Sequence, residues 1–486
     1  VFAAEGALGI AGGTSNLLVD IAKPLLFVLL LAGALHLIVG WQDARRAGVP
    51  ADRAAAHARR TRGAGVALAL VTTAVGFGSM ALSSIGPLRT FGAVAAFGLL
   101  FGVALLLVLL PALLDRLARP ARFEGAAGLA TPAIGLVSWG ARHRGPIVAA
   151  SLVVVAAGAF AFRRLPIEAD ALTYFPADHP VRADHEALEA AGFGLFTVEA
   201  VVDVSGEPLQ LATLARLDVF GRAAAELPAV QTALGLPLLL REASVRSGGP
   251  DALPQGPVLA DALAQAKAQA PLVDEAGRAL RLSMPIAALD PDALDGLRAA
   301  LRARFAEAFA GTDARLTLTG RYPLLLETQR ALLSTLVRSL LATAVVMELV
   351  LLLALRRVRL AVAALLPNAL PVCLNFVIMS LAGIPLDVGT AMTGAVALGI
   401  AVDDTLHFLL AWRKGGREAA ARGTGRALVL STVVITLGFF TLLPAEFGPT
   451  RRFGLLCGTS MITALLADLV VLPALLGGRD GPPGRG

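Results

Sequence analysis

Gly399-Ile-Ala-Val-Asp403-Asp404-Thr-Leu-His407 lies inside an apolar run from about Val388 to Trp412. About 20 residues at ~1.5 Å rise cover the hydrocarbon core of a bilayer, so the run predicts a membrane-spanning helix. Two adjacent acids and a histidine sit within it, and each ionised group near the bilayer centre costs ~2.5–3.5 kcal/mol. The spacing of four stacks Asp403 and His407 on one helix face, with Gly399 a further turn back, where it allows close approach of a neighbouring helix. Asp404 points about 100° away, toward a second neighbour. Such a cluster predicts proton or ion handling. The plainer reading is a static polar lock between helices, but two adjacent acids are costly for packing alone.

The rest of the 486-residue chain has the same character. Hydrophobic residues make up 56%, charged residues 16%, and mean hydropathy is +0.73. Soluble domains run at ~45–50% and ~25%, so the composition predicts an α-helical polytopic membrane protein. The net charge of +6 resides in short loops between apolar runs and carries no nucleic-acid-reading motif, so it marks topology and not a nucleic-acid partner. Cys373 and Cys457 each sit in an apolar run and read as small buried hydrophobes. Asp178, His179, Asp184 and His185 do not match a metal-ligand spacing and read as a solvated loop before a helix. No metal, cofactor or hydrolase motif occurs, so an enzyme is not expected.

Apolar runs near 17–41, 65–85, 91–114, 145–163, 334–355, 359–382, 388–412, 426–445 and 453–477 predict nine spans. Arginines cluster in 42–64, in 115–144, at 356–359 and in 413–426, and taking those loops as cytoplasmic gives an uninterrupted alternation. Trp41, Trp139 and Trp412 fall at span ends, as interface anchors do.

An internal repeat organises these spans. An offset of 371 aligns His36-Leu-Ile-Val-Gly-Trp41 with His407-Phe-Leu-Leu-Ala-Trp412, and Ala11-Gly12 with Ala382-Gly383. After a shorter loop the offset becomes 362 and aligns Gly76-Phe77 with Gly438-Phe439, Phe91-Gly92 with Phe453-Gly454, and Pro111-Ala-Leu-Leu with Pro473-Ala-Leu-Leu. Two related membrane halves follow, as in transporters built from parallel repeats. The first half lacks counterparts of several spans, so we expect a chain that begins partway through a twelve-span protein. The expected division is the end of the first half at 1–114, a cytoplasmic linker at 115–144, the second half's first span at 145–163, an outer domain at 164–332, the remaining spans at 333–477 and a cytoplasmic tail at 478–486.

Within the outer segment, Phe196–Asp203, Ala279–Ile286 and Ala314–Thr319 read as strands, and Leu211–Leu227 and Asp290–Phe309 as helices. Gly248-Gly-Pro and Pro254-Gln-Gly-Pro257 mark a loop. A compact α+β domain of split β-α-β type is expected.

Other polar groups in the apolar runs are Glu348, Asp468, Ser431, Thr432 and Thr436. Glu348, Asp468, Thr432 and Thr436 are candidates for a secondary proton relay, although hydroxyls are ordinary at membrane helix interfaces. Pro367, Asn368, Pro371 and Asn375 predict a kinked span. Under the offset, Asp403 and Asp404 fall on Ala32 and Gly33 while His36 is kept, so proton handling is expected in the second half.

The 399–407 stretch resembles the acidic motif of the resistance-nodulation-division (RND) superfamily, particularly its MMPL-like lipid and hydrophobe exporters and the hopanoid-transporter-like group. Gly438-Phe439, Phe447-Gly-Pro-Thr-Arg-Arg-Phe-Gly454, Ala467-Asp-Leu-Val-Val-Leu-Pro473 and Ile167-Glu-Ala-Asp170 to Phe175-Pro176 resemble the same family. The resemblance implies two repeated RND-type membrane halves with one periplasmic porter-like domain. It also implies proton-coupled export of a lipid-like or hydrophobic molecule from the bacterial inner membrane. Asp403 takes the place of the family's proton-carrying acid, Asp404 a position often Tyr or Asp, and His407 the motif's histidine. The implied partners are membrane lipids, hydrophobic cargo and protons, with self-assembly left open. A lipid- or sterol-sensing module that moves nothing, and a SecDF-like proton-driven auxiliary of protein export, are the alternatives.

Overall fold

The computed structural model describes residues 17–82, 86–117, 130–166, 171–191, 195–204, 209–256 and 279–477, with a few isolated positions besides. Ala11-Gly12, residues 118–129 of the linker, Ile167, Asp170, Pro257 and the 478–486 tail lie outside the described residues. The chain divides into two compact units, Val1–Ile167 with Leu332–Gly486, and Glu168–Ala331.

The first unit begins with α1 (Leu17–Arg46), α2 (Ala51–Ser79) and α3 (Gly86–Ala104), the last continuing through a π turn at Leu105–Leu109 into Leu110–Leu117. α4 (Ala130–Arg142) and α5 (Arg144–Phe162) follow. Pro24 lies inside α1 and Asp20 in its first turn, where an acid complements the helix dipole.

In the second unit, α6 (Pro180–Ala190) leads into β1 (Phe196–Asp203), α7 (Leu211–Ala225), β2 (Leu234–Gly235), α8 (Leu236–Arg246), β3 (Ala279–Ile286), α9 (Pro291–Ala308) and β4 (Arg315–Thr319). The strands form an antiparallel sheet in the order β2-β3-β1-β4. Each helical crossover therefore skips one strand, which is the split β-α-β arrangement. One face of the sheet is dry because the strands alternate: Val198, Ala200 and Val202 of β1 and Leu280, Leu282, Met284 and Ile286 of β3 are all buried. Phe220 of α7 and Phe305 of α9 close that core edge-to-face at 5.6 Å. His179 caps α6 by accepting from the Val181 N–H, and the described residues hold no group of three or more His, Cys, Asp or Glu able to bind a metal.

The remaining helices are α10 (Arg321–Leu355), α11 (Val358–Ala382), α12 (Val388–Ala419), α13 (Gly425–Phe440) and α14 (Gly448–Leu466), which continues through a π turn at Ala467–Val471 into Leu472–Leu476. α12 starts at a capping box. Asp387 Oδ1 accepts from the Thr390 N–H at 2.7 Å, and Thr390 Oγ1 accepts from the Asp387 N–H at 2.8 Å. Arg452 closes the corner on Asp387 at 2.7 Å. At its far end α12 breaks at Gly415–Gly416, where Gly416 has φ +72, open to glycine but strained for other residues.

Among the described residues, seven helices are long and apolar enough to cross a membrane: Ala22–Arg46, Ala51–Gly78, Arg89–Arg116, Arg144–Phe162, Val358–Ala382, Gly389–Arg422 and Gly448–Leu476. The chain is a multi-pass membrane protein. Two of the nine expected spans, Leu340–Leu355 and Gly425–Phe440, are shorter apolar helices. In the first, Arg338 ends the apolar stretch of a longer helix; in the second, a π turn at Ala420–Thr424 precedes the apolar part. Trp41 departs from its expected role as a surface anchor. It is 7% exposed and packs among Ala44, Ala54, Ala55 and Ala58, whose small side chains leave a slot for the indole. Trp139 is 46% exposed.

Candidate functional site

The acids of α12 are buried: Asp403 is 7% exposed and Asp404 6%. One turn on, His407 Nε2 stands 3.3 Å from Asp403 Oδ1, an ion-pair distance set by the i,i+4 spacing. The pair is not aligned as a hydrogen bond, and Asp403 Oδ1 has no hydrogen-bond partner.

Thr405, between Asp404 and Leu406 on α12, ties the site to two other helices. Its hydroxyl lies 2.6 Å from Asp468 Oδ1 on α14 and 2.9 Å from Asn368 Oδ1 on α11. A hydroxyl has one proton, so it serves one of these acceptors while its lone pairs take a donor from the other. Either Asp468 carries a proton and donates to Thr405, or the Asn368 amide turns its NH₂ toward the hydroxyl. Asp468 Oδ2 is buried without a partner. Asp468 sits in the π turn of α14, and Asn368 lies between the helix-interior prolines Pro367 and Pro371 of α11. Backbone irregularities thus carry two of the three ends of this network, as they often do at functional sites. Asp403, Asp404 and Asp468 are within electrostatic range of one another.

His36 of α1 is 2% exposed and stacks on His407, ring centroids 4.3 Å apart and planes 12° from parallel. The two histidines matched by the repeat therefore touch. Gly65 of α2 makes room for this stack, since a Cβ there would lie 2.9 Å from His407 Cε1. Gly399 is a looser contact: a Cβ there would meet Thr73 Cγ2 at 3.4 Å, an ordinary packing distance.

The other expected relay groups lie apart from this network. Glu348 is half-buried on α10 and makes no hydrogen bond or ion pair with a described residue. On α13, which packs against α1 and α14, Ser431 donates back to Leu428 O at 3.0 Å, Thr432 is buried, and Thr436 Oγ1 is buried without a partner. Among the described residues no hydrogen bond joins Thr432 or Thr436 to the acids. Thr405 is not among the relay groups expected from sequence, Asn368 is expected only at a kink, and His36 only as the repeat partner of His407. The signal for Thr405 was its place between the acids and the histidine.

The second unit has an apolar cleft of about 610 Å³, walled by Leu195, Phe196, Tyr322, Leu324 and Leu325 with Arg321 at its edge.

A model of the MMPL family matches residues 2–144. That segment is 143 of the chain's 486 residues. The MMPL segment includes α1 to α3 and His36, while Asp403, Asp404 and Asp468 lie beyond it, in the stretch aligned by the repeat. A protein of Methanocaldococcus jannaschii described as a membrane protein is 30% identical over 125 residues, 24% of this chain and 32% of that protein. The hopanoid transporter HpnN of Burkholderia multivorans is 38% identical over 66 residues, 14% of this chain and 7% of HpnN. The chain thus matches less than a third of the first relative and a small part of the second.

Proposed function

We propose that this protein is a proton-coupled exporter of a lipid-like or hydrophobic molecule in the bacterial inner membrane. The observation that carries the reading is the buried cluster of Asp403, Asp404 and Asp468, bridged across three helices by Thr405 and flanked by His407. Ionising all three acids there would place net negative charge in a low-dielectric interior, which costs several kcal/mol per ion. The cluster therefore changes charge by exchanging protons, and Asp403 with His407 is the pair at which a proton loads and leaves.

Four further observations support the reading. The 362 offset relates the π turn at Leu105–Leu109 to that at Ala467–Val471. It also relates the edge-to-face pair Phe77–Phe91, at 5.7 Å, to Phe439–Phe453, at 5.9 Å. Both fit two related halves of a transporter. The apolar cleft of the second unit suits a hydrophobic cargo and is read as a periplasmic porter-like site. The MMPL match and the short likeness to a hopanoid transporter favour lipid cargo over protein.

Reconstituted vesicles with a pH-sensitive dye inside test the proposal. An imposed proton gradient should collapse faster with the wild-type protein than with Asp403→Asn, by about tenfold or more. If the variant inserts normally and passes protons at the wild-type rate, the reading is wrong.

A further inference from the structure

At the arginine-rich end of the first unit, α1, α2, α12 and the π turn at Ala420–Thr424 line an open cavity of about 580 Å³ that reaches His407 but none of the acids of the cluster. Its charged and titratable lining consists of His36, Arg60, Arg62, His407 and Lys414, and no carboxylate lines it among the described residues. Thr61 and Thr424 add hydroxyls. Guanidinium and ammonium groups donate and never accept, so this wall is complementary to an oxyanion.

The cations are not all spent on one another's partners. Arg62 donates to Asp43 of α1 at 2.8 Å, and the same carboxylate is 3.5 Å from Arg426. Among the described residues no ion pair holds Arg60 or Lys414, both of which are exposed. A second observation comes from the inner wall. His36 is 2% exposed, yet its Nε2 has no hydrogen-bond partner. A buried ring nitrogen left unpaired is costly, and a ligand in the cavity that His36 lines would relieve it.

We propose that this cavity is an oxyanion site that takes a phosphate group, either as free inorganic phosphate or as the head group of an anionic lipid. Basic pockets between membrane helices at a cationic end have the chemistry for such head groups. The charged and titratable groups in and beside the cavity are His36 and Asp43 on α1, Arg60 and Arg62 on α2, His407 and Lys414 on α12, and Arg426 on α13. The proposal does not depend on transport.

The test uses the full chain in phosphatidylcholine nanodiscs, titrated calorimetrically with sulfate, which does not itself titrate between pH 6 and 8. One saturable site is expected. Arg60→Ala with Lys414→Ala, at exposed positions that spare the fold, should weaken it at least tenfold. Repeating the titration in phosphatidylglycerol nanodiscs separates the two sources. Unchanged sulfate affinity supports a free anion, and loss of sulfate binding, with phosphatidylglycerol retained by the wild type but not the double variant in native mass spectrometry, supports a lipid head group. No saturable binding in phosphatidylcholine, or equal affinity in wild type and double variant, overturns the site.

Discussion

At the scale of single residues, one hydroxyl and one carboxylate carry more than their neighbours. Thr405→Val keeps the shape of the side chain but removes the hydroxyl between Asp468 and Asn368, leaving buried polar groups unpaired at a cost of about 1–3 kcal/mol. We expect a lower unfolding midpoint and at least about tenfold slower proton flux in vesicles, with Thr405→Ser restoring both. Wild-type flux in the valine variant would exclude Thr405 from the relay. Asp387 is different in kind. It is fully buried, caps α12 and pairs with Arg452 at 2.7 Å, so Asp387→Ala removes a cap and leaves a guanidinium without its counter-ion. The expected destabilisation is about 3 kcal/mol or more, read as a fall in midpoint in a thermal scan of the detergent-solubilised protein. Asp387→Asn, which keeps a capping oxygen, should lose less. The acids and His407 were legible in the sequence because charge is conspicuous in an apolar run. Thr405 was not, since a threonine in a membrane helix is ordinary until its partners on two other helices are known.

At the scale of elements, the strands Phe196–Asp203 and Ala279–Ile286 were legible to the residue, because strict alternation survives only in a half-buried strand. β2 was not, since two residues carry no periodicity and owe their strand geometry to β3 beside them. The π turn that holds Asp468 was equally hidden. An extra residue in a turn leaves hydropathy unchanged while rotating every later side chain, so whether Asp468 faced α12 could not be read from spacing. Close helix contacts belong to this scale too. A Cβ on Gly158 of α5 would lie 2.4 Å from the carbonyl oxygen of Cys373 on α11, so the two backbones meet where no side chain fits. Gly158→Leu should force the helices apart, costing about 1–3 kcal/mol or more, and should show as a lowered midpoint and aggregation on size-exclusion chromatography. Gly135 on α4, where a Cβ would meet nothing within 4 Å, is the matched control.

At the scale of the whole molecule, the two units have separate hydrophobic cores, so a perturbation in one should leave the other's exchange behaviour intact. Glu199 on β1 gives a pH-dependent test. Burial pushes its carboxyl up, but hydrogen bonds from Arg281, at 2.8 and 3.0 Å, and from Ser283, at 2.5 Å, outweigh burial and hold it below its ordinary range. A carboxyl depressed in the folded state adds stability above its unfolded value of about 4.3, and that stability is lost as pH falls through the lower folded value. The pair is partly exposed, so its contribution is about 1 kcal/mol. In the whole 486-residue chain, amide exchange corrected for intrinsic rates should show β1 and β3 about fivefold less protected in Glu199→Gln at pH 7. As pH drops below about 4 the wild type should lose that advantage and the two proteins converge. α1, α12 and α14 should exchange alike in both throughout. An equal difference at every pH would mean that the glutamine disturbs packing and not a charged hydrogen-bond network. A change in unit-one helices would mean that the two cores unfold as one.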